Sequence, residues 1–159
     1  MTFQRPITTL ACALACALAA SAAAAQDTRQ FVEMPAAARE NLRQEMVDNL
    51  AALHEIVSLM GAGRVKDAGE VAEKRLGLSA MGKHRDMPLD ARPGAHMPPG
   101  MHELGTNGHK AASAFAAAAA GGDAAKALAA MPDMLSSCMA CHPKNSSYPG
   151  AASDGGAVG

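Results

Sequence analysis

Aromatic side chains are nearly absent from this sequence, which has no Trp, one Tyr and three Phe among 159 residues. Because β-strands draw on aromatic and β-branched residues, this shortage argues against an all-β sandwich. The chain also lacks an excess of charge, since 14 Lys and Arg stand against 15 Asp and Glu. This balance argues against a nucleic acid partner, which binds through an excess of basic side chains. The apolar residues, 49% of the chain, include many Ala and 11 Met, and this composition predicts an all-α protein.

Long hydrophobic runs are also missing, apart from one near the N-terminus. Arg5 precedes an apolar stretch at 7–20, and three Ala at 23–25 form a small-residue cleavage site. This arrangement predicts a secretory signal peptide at residues 1–25 that is cleaved on export. The stretch is shorter than the about 20 residues that span a bilayer, so we expect no stable membrane insertion. Cys12 and Cys16 fall within the signal, which leaves Cys138 and Cys141 in the mature chain.

These two cysteines form a C-x-x-C-H motif with His142, which is the attachment sequence of a c-type haem. The spacing follows from the chemistry, because two thiols add to the two vinyl groups of one porphyrin and the next His ligates the iron. On a helix, Cys138, Cys141 and His142 share one face. Covalent attachment takes place outside the cytoplasm, in agreement with the signal peptide. The sequence therefore predicts one covalent haem c per chain and a location in the periplasm.

Two other uses of a C-x-x-C pair fit this sequence less well. A redox dithiol of the thioredoxin type belongs to a βαβ unit and to a helix N-terminus, and neither is indicated here. A zinc site needs a third and a fourth ligand at metal spacing, and the mature chain has no second Cys pair.

Four helical stretches are indicated, at about 35–60, 64–76, 99–120 and 123–142, with a Pro-rich loop at about 79–99. Apolar residues recur every three or four positions on each stretch. The first stretch has the predicted seam Leu42, Met46, Leu50, Leu53, Val57 and Met60, and the last has Leu128, Met131, Leu135, Cys138 and His142. Inward-facing seams on four helices predict an antiparallel four-helix bundle that holds a ligand between its helices.

Three residues interrupt the predicted helices. Pro132 is expected to kink the last stretch or to split off a short first segment. Gly105 and Gly108 weaken the third stretch, and glycines within a helix indicate either the close approach of another helix or flat ligand, or tolerated surface positions. After the motif, residues 143–159 are rich in Gly, Ser and Ala and are predicted to form a disordered tail.

A haem motif on the last of four helices resembles the class II c-type cytochromes, which are cytochrome c′ and its low-spin relatives. The resemblance covers residues 34–142 and rests on the C-x-x-C-H motif and, more weakly, on Arg43-Gln44-Glu45-Met46. It implies a four-helix-bundle domain at 26–142 that is not an enzyme and exchanges single electrons with redox partner proteins, and that forms homodimers in some relatives. Relatives close the haem edge with an aromatic and a basic residue after the haem His, for which Tyr148 is the candidate substitute here.

The resemblance also implies a choice at the sixth position of the iron. Low-spin members fill it with a Met of the first helix, which corresponds to Met46, and high-spin members leave it open and bind small gases such as NO or CO. Met46 is therefore the predicted distal ligand, and a five-coordinate gas-binding protein is the first alternative. Met46 as a plain core residue also fits the pattern. Other candidate donors fit less well, namely Met34, Met60, His54 and His109.

A second alternative comes from the loop before the third helix. His96, Met97, Met101 and His102 lie close together in the sequence, and thioether and imidazole groups are suitable ligands for Cu(I). The loop therefore allows a periplasmic metal-binding or sensor module. The competing interpretation is that the prolines shape this loop and that Met97 and Met101 cap the helices.

Overall fold

The computed structural model describes residues 27–148, most of which are helical. Its α-helices are α1 (Ala36–Gly61), α2 (Val65–Arg75), α3 (Pro99–Ala119) and α4 (Ala124–Cys141). The prediction of an all-α protein is confirmed, and each helix lies close to its predicted range. The signal peptide and its cleavage site lie outside the described residues. Among the residues described, no helix is long and apolar enough to cross a membrane.

Local sequence explains where the helices begin and end. Pro35 and Pro98 immediately precede α1 and α3, and Asp123 caps α4 by accepting a hydrogen bond from the Lys126 amide at 3.1 Å. Gly63 ends the α1 turn with a φ of 73°, a left-handed conformation that favours Gly. Pro132 lies inside α4, which stays continuous, so the predicted split does not occur. Pro132 deprives the Leu128 carbonyl of its usual helical partner, and Leu128 is exposed enough for water to replace it.

The long connection between α2 and α3 is ordered by three short 3₁₀ turns, Leu78–Ala80, Leu89–Ala91 and Pro93–His96. It packs along α1, where the Asn41 side-chain amide donates to the Ala91 carbonyl at 2.8 Å. Lys83 also lies 3.7 Å from the Glu45 carboxylate. The loop therefore covers one side of α1.

The helices pack in the order of the chain, with α1 on α2, α2 on α3 and α3 on α4. Within the part of the chain that the structure describes, α1 and α4 do not form a close pair of helices. The core is divided into two clusters. The large cluster contains Ile56, Val65, Ala68, Ala72, Ala112, Phe115, Ala119, Ala127 and Met134. The small cluster contains Val32, Met34, Ala38 and Leu42, with Met97 and Met101 packed against it.

A short parallel strand pair joins the two ends of the described chain. In this pair, β1 (Gln30–Phe31) lies beside β2 (Asn145–Ser146). The Gln30 amide donates to the Lys144 carbonyl at 2.7 Å, and the Val32 amide donates to the Ser146 carbonyl at 2.8 Å. Residues 143–148, the described part of the predicted disordered tail, include the acceptors of these backbone bonds. Residues 149–159 lie outside the described range.

The predicted seams are displaced on two helices. On α1 the buried residues are Ala38, Leu42, Ala52 and Ile56, so that Leu42 alone belongs to the predicted seam. On α4 the buried residues are Ala127 and Met134, each next to a predicted seam position. The small Ala side chains allow the neighbouring elements to approach closely, and the bulkier residues are turned aside. As a result, the apolar residues predicted to face inward form a second, less buried face on each helix.

Candidate haem-attachment site

The C-x-x-C-H motif occupies the last turn of α4 and the residue after it. The His142 amide donates to the Cys138 carbonyl at 3.1 Å, and His142 keeps helical backbone angles, with φ −61° and ψ −36°. The motif is therefore helical throughout, as the sequence predicts. Neither cysteine is in a disulfide, and Cys138 is exposed while Cys141 is half-buried. The His142 side chain is also exposed.

The strand pair holds the chain directly after the motif. The Asn145 side-chain amide donates to the Cys141 carbonyl at 3.3 Å and lies 3.8 Å from its Sγ. Asn145 is also the residue of β2 that pairs with Gln30. The start of the described chain is thereby fixed close to Cys141. The sequence offered no signal for this arrangement, because two-residue strands have no periodicity to detect.

An apolar face of α4 continues from the motif toward the N-terminal end of the helix. It contains Leu135 and Met131, which are half-buried, and Leu128, which is 53% exposed. Helical spacing places these residues in line with Cys138 and His142. Another side of α4 packs closely on α3, since a Cβ on Gly108 would lie 2.7 Å from Ser137 Oγ. Cys138 and His142 therefore lie on a different side of α4 from Ser137, whereas Cys141, four residues after Ser137, lies on the side toward α3.

Met46 lies on a corresponding face of α1. Arg39, Met46, Leu50 and Val57 are spaced by seven, four and seven residues, which places them on one side of a helix with 3.6 residues per turn. Met46 is 39% exposed, and Leu50 is 68% exposed. Within residues 27–148, no other helix packs closely on this apolar face of α1.

The loop and α2 contact the opposite side of α1. This side carries three residues spaced by seven, namely Asn41, Asp48 and Glu55. Asp48 follows Met46 by two residues, which corresponds to a rotation of about 200° around the helix axis. The guanidinium of Arg75 donates to the Glu55 carboxylate at 2.8 Å and to the Asp48 carbonyl at 3.1 Å. These contacts orient α1 so that Met46 points away from α2.

One contact shows which part of the molecule the Met46 face meets. The Arg39 guanidinium lies 5.8 Å from the centre of the Tyr148 ring, within the range of a cation–π interaction, and it donates to the Met34 carbonyl at 3.2 Å. Tyr148 follows His142 by six residues, and Met46 lies two turns along α1 from Arg39. The α1 face that carries Met46 therefore begins at the segment that follows the C-x-x-C-H motif.

Arg43, one turn after Arg39 on α1, is paired with a neighbouring carboxylate. Arg43 and Glu40 form a short ion pair one turn apart on α1. The hydrogen bonds from Arg43 lower the pKa of Glu40 below its ordinary value. Arg43 is thereby engaged, and Arg39 is the cation that stacks on Tyr148.

Three of the four competing candidate ligands have protein partners of their own. Met34 is buried in the small cluster, and Met60 packs against the large cluster. His109 Nδ1 lies 2.7 Å from the Leu76 carbonyl oxygen. His54 is exposed on α1. Met46 is more exposed than Met34 or Met60, and the structure gives no contact that engages its sulfur within the described range.

The loop with paired His and Met residues is packed rather than open. Met97 and Met101 pack against the small cluster, as the competing interpretation predicts. His96 Nε2 lies 3.1 Å from the Leu89 carbonyl oxygen. Over residues 27–148, no three His, Cys, Asp or Glu side chains converge in a way that could hold a metal ion.

Sequence reasoning gave no role to His84, which contacts α1 beside Met46. His84 Nε2 lies 3.3 Å from the Glu45 carboxylate, and the His84 side chain is 20% exposed. Its Nδ1 is buried without a hydrogen-bond partner. Only the tertiary structure brings this loop residue to the helix, because 39 residues separate it from Glu45.

Comparisons of the chain with models of known protein families, with curated proteins and with solved structures found no match.

Proposed function

We propose that this protein is an exported class II c-type cytochrome that carries single electrons, with one haem bound covalently at Cys138 and Cys141. The observation that carries the proposal is the helical C-x-x-C-H motif at the end of α4. Its residues Cys138 and His142 lie in line with an apolar face of α4 that is partly exposed. This combination supplies both the covalent anchors and the apolar surface that a porphyrin requires.

The residues present fit a haem in three respects. The thiols of Cys138 and Cys141 are not in a disulfide and lie on consecutive turns of one helix. The exposed imidazole of His142 follows directly and is free to ligate iron. The apolar residues of α1 and α4, among them Leu50 and Leu128, offer contact surface on either side.

Each residue of the motif has a separate task in this proposal. Each cysteine adds across one vinyl group, so that the sulfur bonds to one vinyl carbon and the thiol hydrogen passes to the other. His142 would hold the iron through a nitrogen of its imidazole. The haem supplies an iron centre that changes its charge by one electron. The helix holds its ligand in one place in both redox states, so that little reorganises on electron transfer.

Met46 of α1 would supply the second protein ligand to the iron. Its face of α1 begins at the Arg39 contact with Tyr148, which associates it with the end of α4. With the haem between them, α1 and α4 would become neighbours and complete an antiparallel four-helix bundle. A thioether opposite His favours low-spin iron and a higher reduction potential.

A spectroscopic comparison tests both parts of the proposal. The wild-type protein, Met46→Leu and the control Met87→Leu are produced in a host with haem-maturation machinery. Met87 is a suitable control because it is 38% exposed, against 39% for Met46, and lies on the loop. We expect low-spin spectra without CO binding for the wild type and the control. We expect a high-spin spectrum that changes with CO for Met46→Leu, because the sixth position is then open.

Two other outcomes would contradict the proposal in different ways. Loss of all haem on acid–acetone extraction of the wild type would exclude covalent attachment and the cytochrome function. A wild-type protein that retains its haem but is already high-spin and binds CO would exclude Met46 as ligand. It would establish the five-coordinate gas-binding alternative.

A further inference from the structure

Gly105 occupies an unusual position on α3. Gly105, Ala112 and Ala119 are spaced by seven residues and so lie on nearly the same side of the helix. Ala112 and Ala119 are buried in the large cluster, with exposed fractions of 1% and 0%. A Cβ built on Gly105 would meet no atom within 4 Å. This line of positions along α3 is therefore buried at Ala112 and Ala119 and exposed at Gly105.

The contact between α3 and α4 places Gly105 level with the haem motif. Gly108 lies against Ser137 of α4, and α3 and α4 are consecutive helices joined by a short turn, so they run in opposite directions. Moving three residues back from Gly108 to Gly105 corresponds to moving about one turn forward from Ser137 to Cys141. Gly105 and Cys141 are thus at the same height along the two helices.

The elements next to α3 do not cover the position of Gly105. The carbonyls of Leu76 and Gly77 contact the His109 ring. The end of α2 therefore lies beside His109, about one turn along α3 from Gly105, and does not cover Gly105. Met101, one turn further, already packs against the small cluster, while Ala112 belongs to the large cluster. Gly105 is exposed, and along α3 it lies between the parts of the helix that contact the two clusters, in line with the buried Ala112 and Ala119.

We infer that Gly105 is a specificity-determining residue of the haem site and forms its wall on α3, where the absence of a side chain admits the porphyrin. The inference rests on the proposed function. It follows from two independent observations, the open space at Gly105 and the height it shares with Cys141. A larger side chain at this position occupies the space that the ring needs.

The test compares Gly105→Leu and Gly105→Ala with Gly100→Leu as a matched control. Gly100 lies on the same helix and also has no atom within 4 Å of a built Cβ, but its five-residue offset turns it by about 140° from Gly105. Covalent haem per chain is measured by mass spectrometry, and spin state and reduction potential are measured on the loaded protein. We expect Gly105→Leu to lower the haem content by about tenfold or more, because overpacking closes the site. Gly100→Leu is expected to match the wild type.

The alanine variant keeps the inference testable if Gly105→Leu does not fold. The protein alone has room for this methyl group, and Ala favours a helix over Gly. Under the inference, Gly105→Ala shifts the reduction potential or the Soret circular dichroism, whereas a surface glycine would only raise helix stability. Haem content, spectrum and potential equal to wild type in both Gly105 variants would overturn the inference and leave the cytochrome function intact. A wild-type protein without covalent haem would instead refute the proposed function.

Discussion

Glu73 links three elements through a single carboxylate. It accepts hydrogen bonds from the Ser113 hydroxyl on α3 and from the Ser79 hydroxyl, and from the Ser79 amide at 3.0 Å. The Ser113 hydroxyl in turn accepts from the Leu78 amide at 2.9 Å. These bonds, first among them the one from Ser113, lower the pKa of Glu73 below its ordinary value of 4.5. The charged form of Glu73 is therefore the one that stabilises the turn after α2.

Replacing the Glu73 carboxylate should make the free energy of unfolding less dependent on pH in the acid range. Because the pKa of Glu73 is lower in the folded protein, its contribution is present above pH 4.5 and is lost as the pH falls through the folded value. Near neutral pH we expect Glu73→Gln to lower the free energy of unfolding by about 1 kcal/mol. The difference from wild type should shrink below pH 4.5. Denaturant unfolding of the holoprotein across this range measures both values.

Glu70→Gln is the matched control on the same helix. Glu70 pairs with Lys74 at 3.3 Å, and both side chains are mostly exposed, so the variant should change stability little at any pH. A constant difference between Glu73→Gln and wild type down to the lowest pH would show that the charge of Glu73 has no part in stability.

At the scale of elements, the approach of α2 to α3 depends on Gly69. A Cβ on Gly69 would lie 2.9 Å from Ala119 Cβ and 3.1 Å from the Ala116 carbonyl oxygen. Backbone and Ala atoms cannot move aside as a flexible side chain could. The spacing of apolar residues along α2 does not mark Gly69 as the point of closest approach. The distance between two helices is decided only when both are present.

Gly69→Ala should therefore destabilise the protein although Ala is the better helix former. We expect a loss of about 1–3 kcal/mol in the free energy of unfolding, because overpacking outweighs the gain in propensity. Gly61→Ala serves as control, since a Cβ there meets nothing within 4 Å, and it should leave stability unchanged or slightly higher. Thermal or denaturant unfolding of both variants measures the effect. Equal stability of Gly69→Ala and wild type would mean that α2 and α3 are further apart than the structure indicates.

At the scale of the whole molecule, the shortage of aromatic side chains has a structural counterpart. Ala supplies much of the large cluster, and large apolar side chains such as Leu50, Val57, Leu128 and Met139 are more than half exposed. A porphyrin bound between α1 and α4 would cover part of this surface, and buried apolar area favours the folded state. Under the proposed function, the haem would therefore contribute to folding as well as to electron transfer.

The protein without haem should be less stable and more loosely packed. A Cys138→Ala, Cys141→Ala double variant cannot attach haem covalently, and extraction then gives the apoprotein. We expect its melting temperature to fall by roughly 10 °C or more relative to the holoprotein, and we expect it to bind the dye ANS. Calorimetry and dye fluorescence measure these properties. An apoprotein with the melting temperature of the holoprotein and no dye binding would show that the helices pack fully by themselves.

The sequence by itself determined the helical class, the approximate helix ranges and the placement of Cys138, Cys141 and His142 on one helical turn. These features depend on residues within a few positions of one another, so periodicity and Gly or Pro boundaries are sufficient to predict them. Only the tertiary structure decided which face of α1 and α4 is buried, that β1 pairs with β2, and that His84 reaches Glu45. Such features depend on contacts between residues far apart in the chain. Where small residues flank a seam of larger ones, neighbouring helices can pack on either, and the spacing alone does not choose between them.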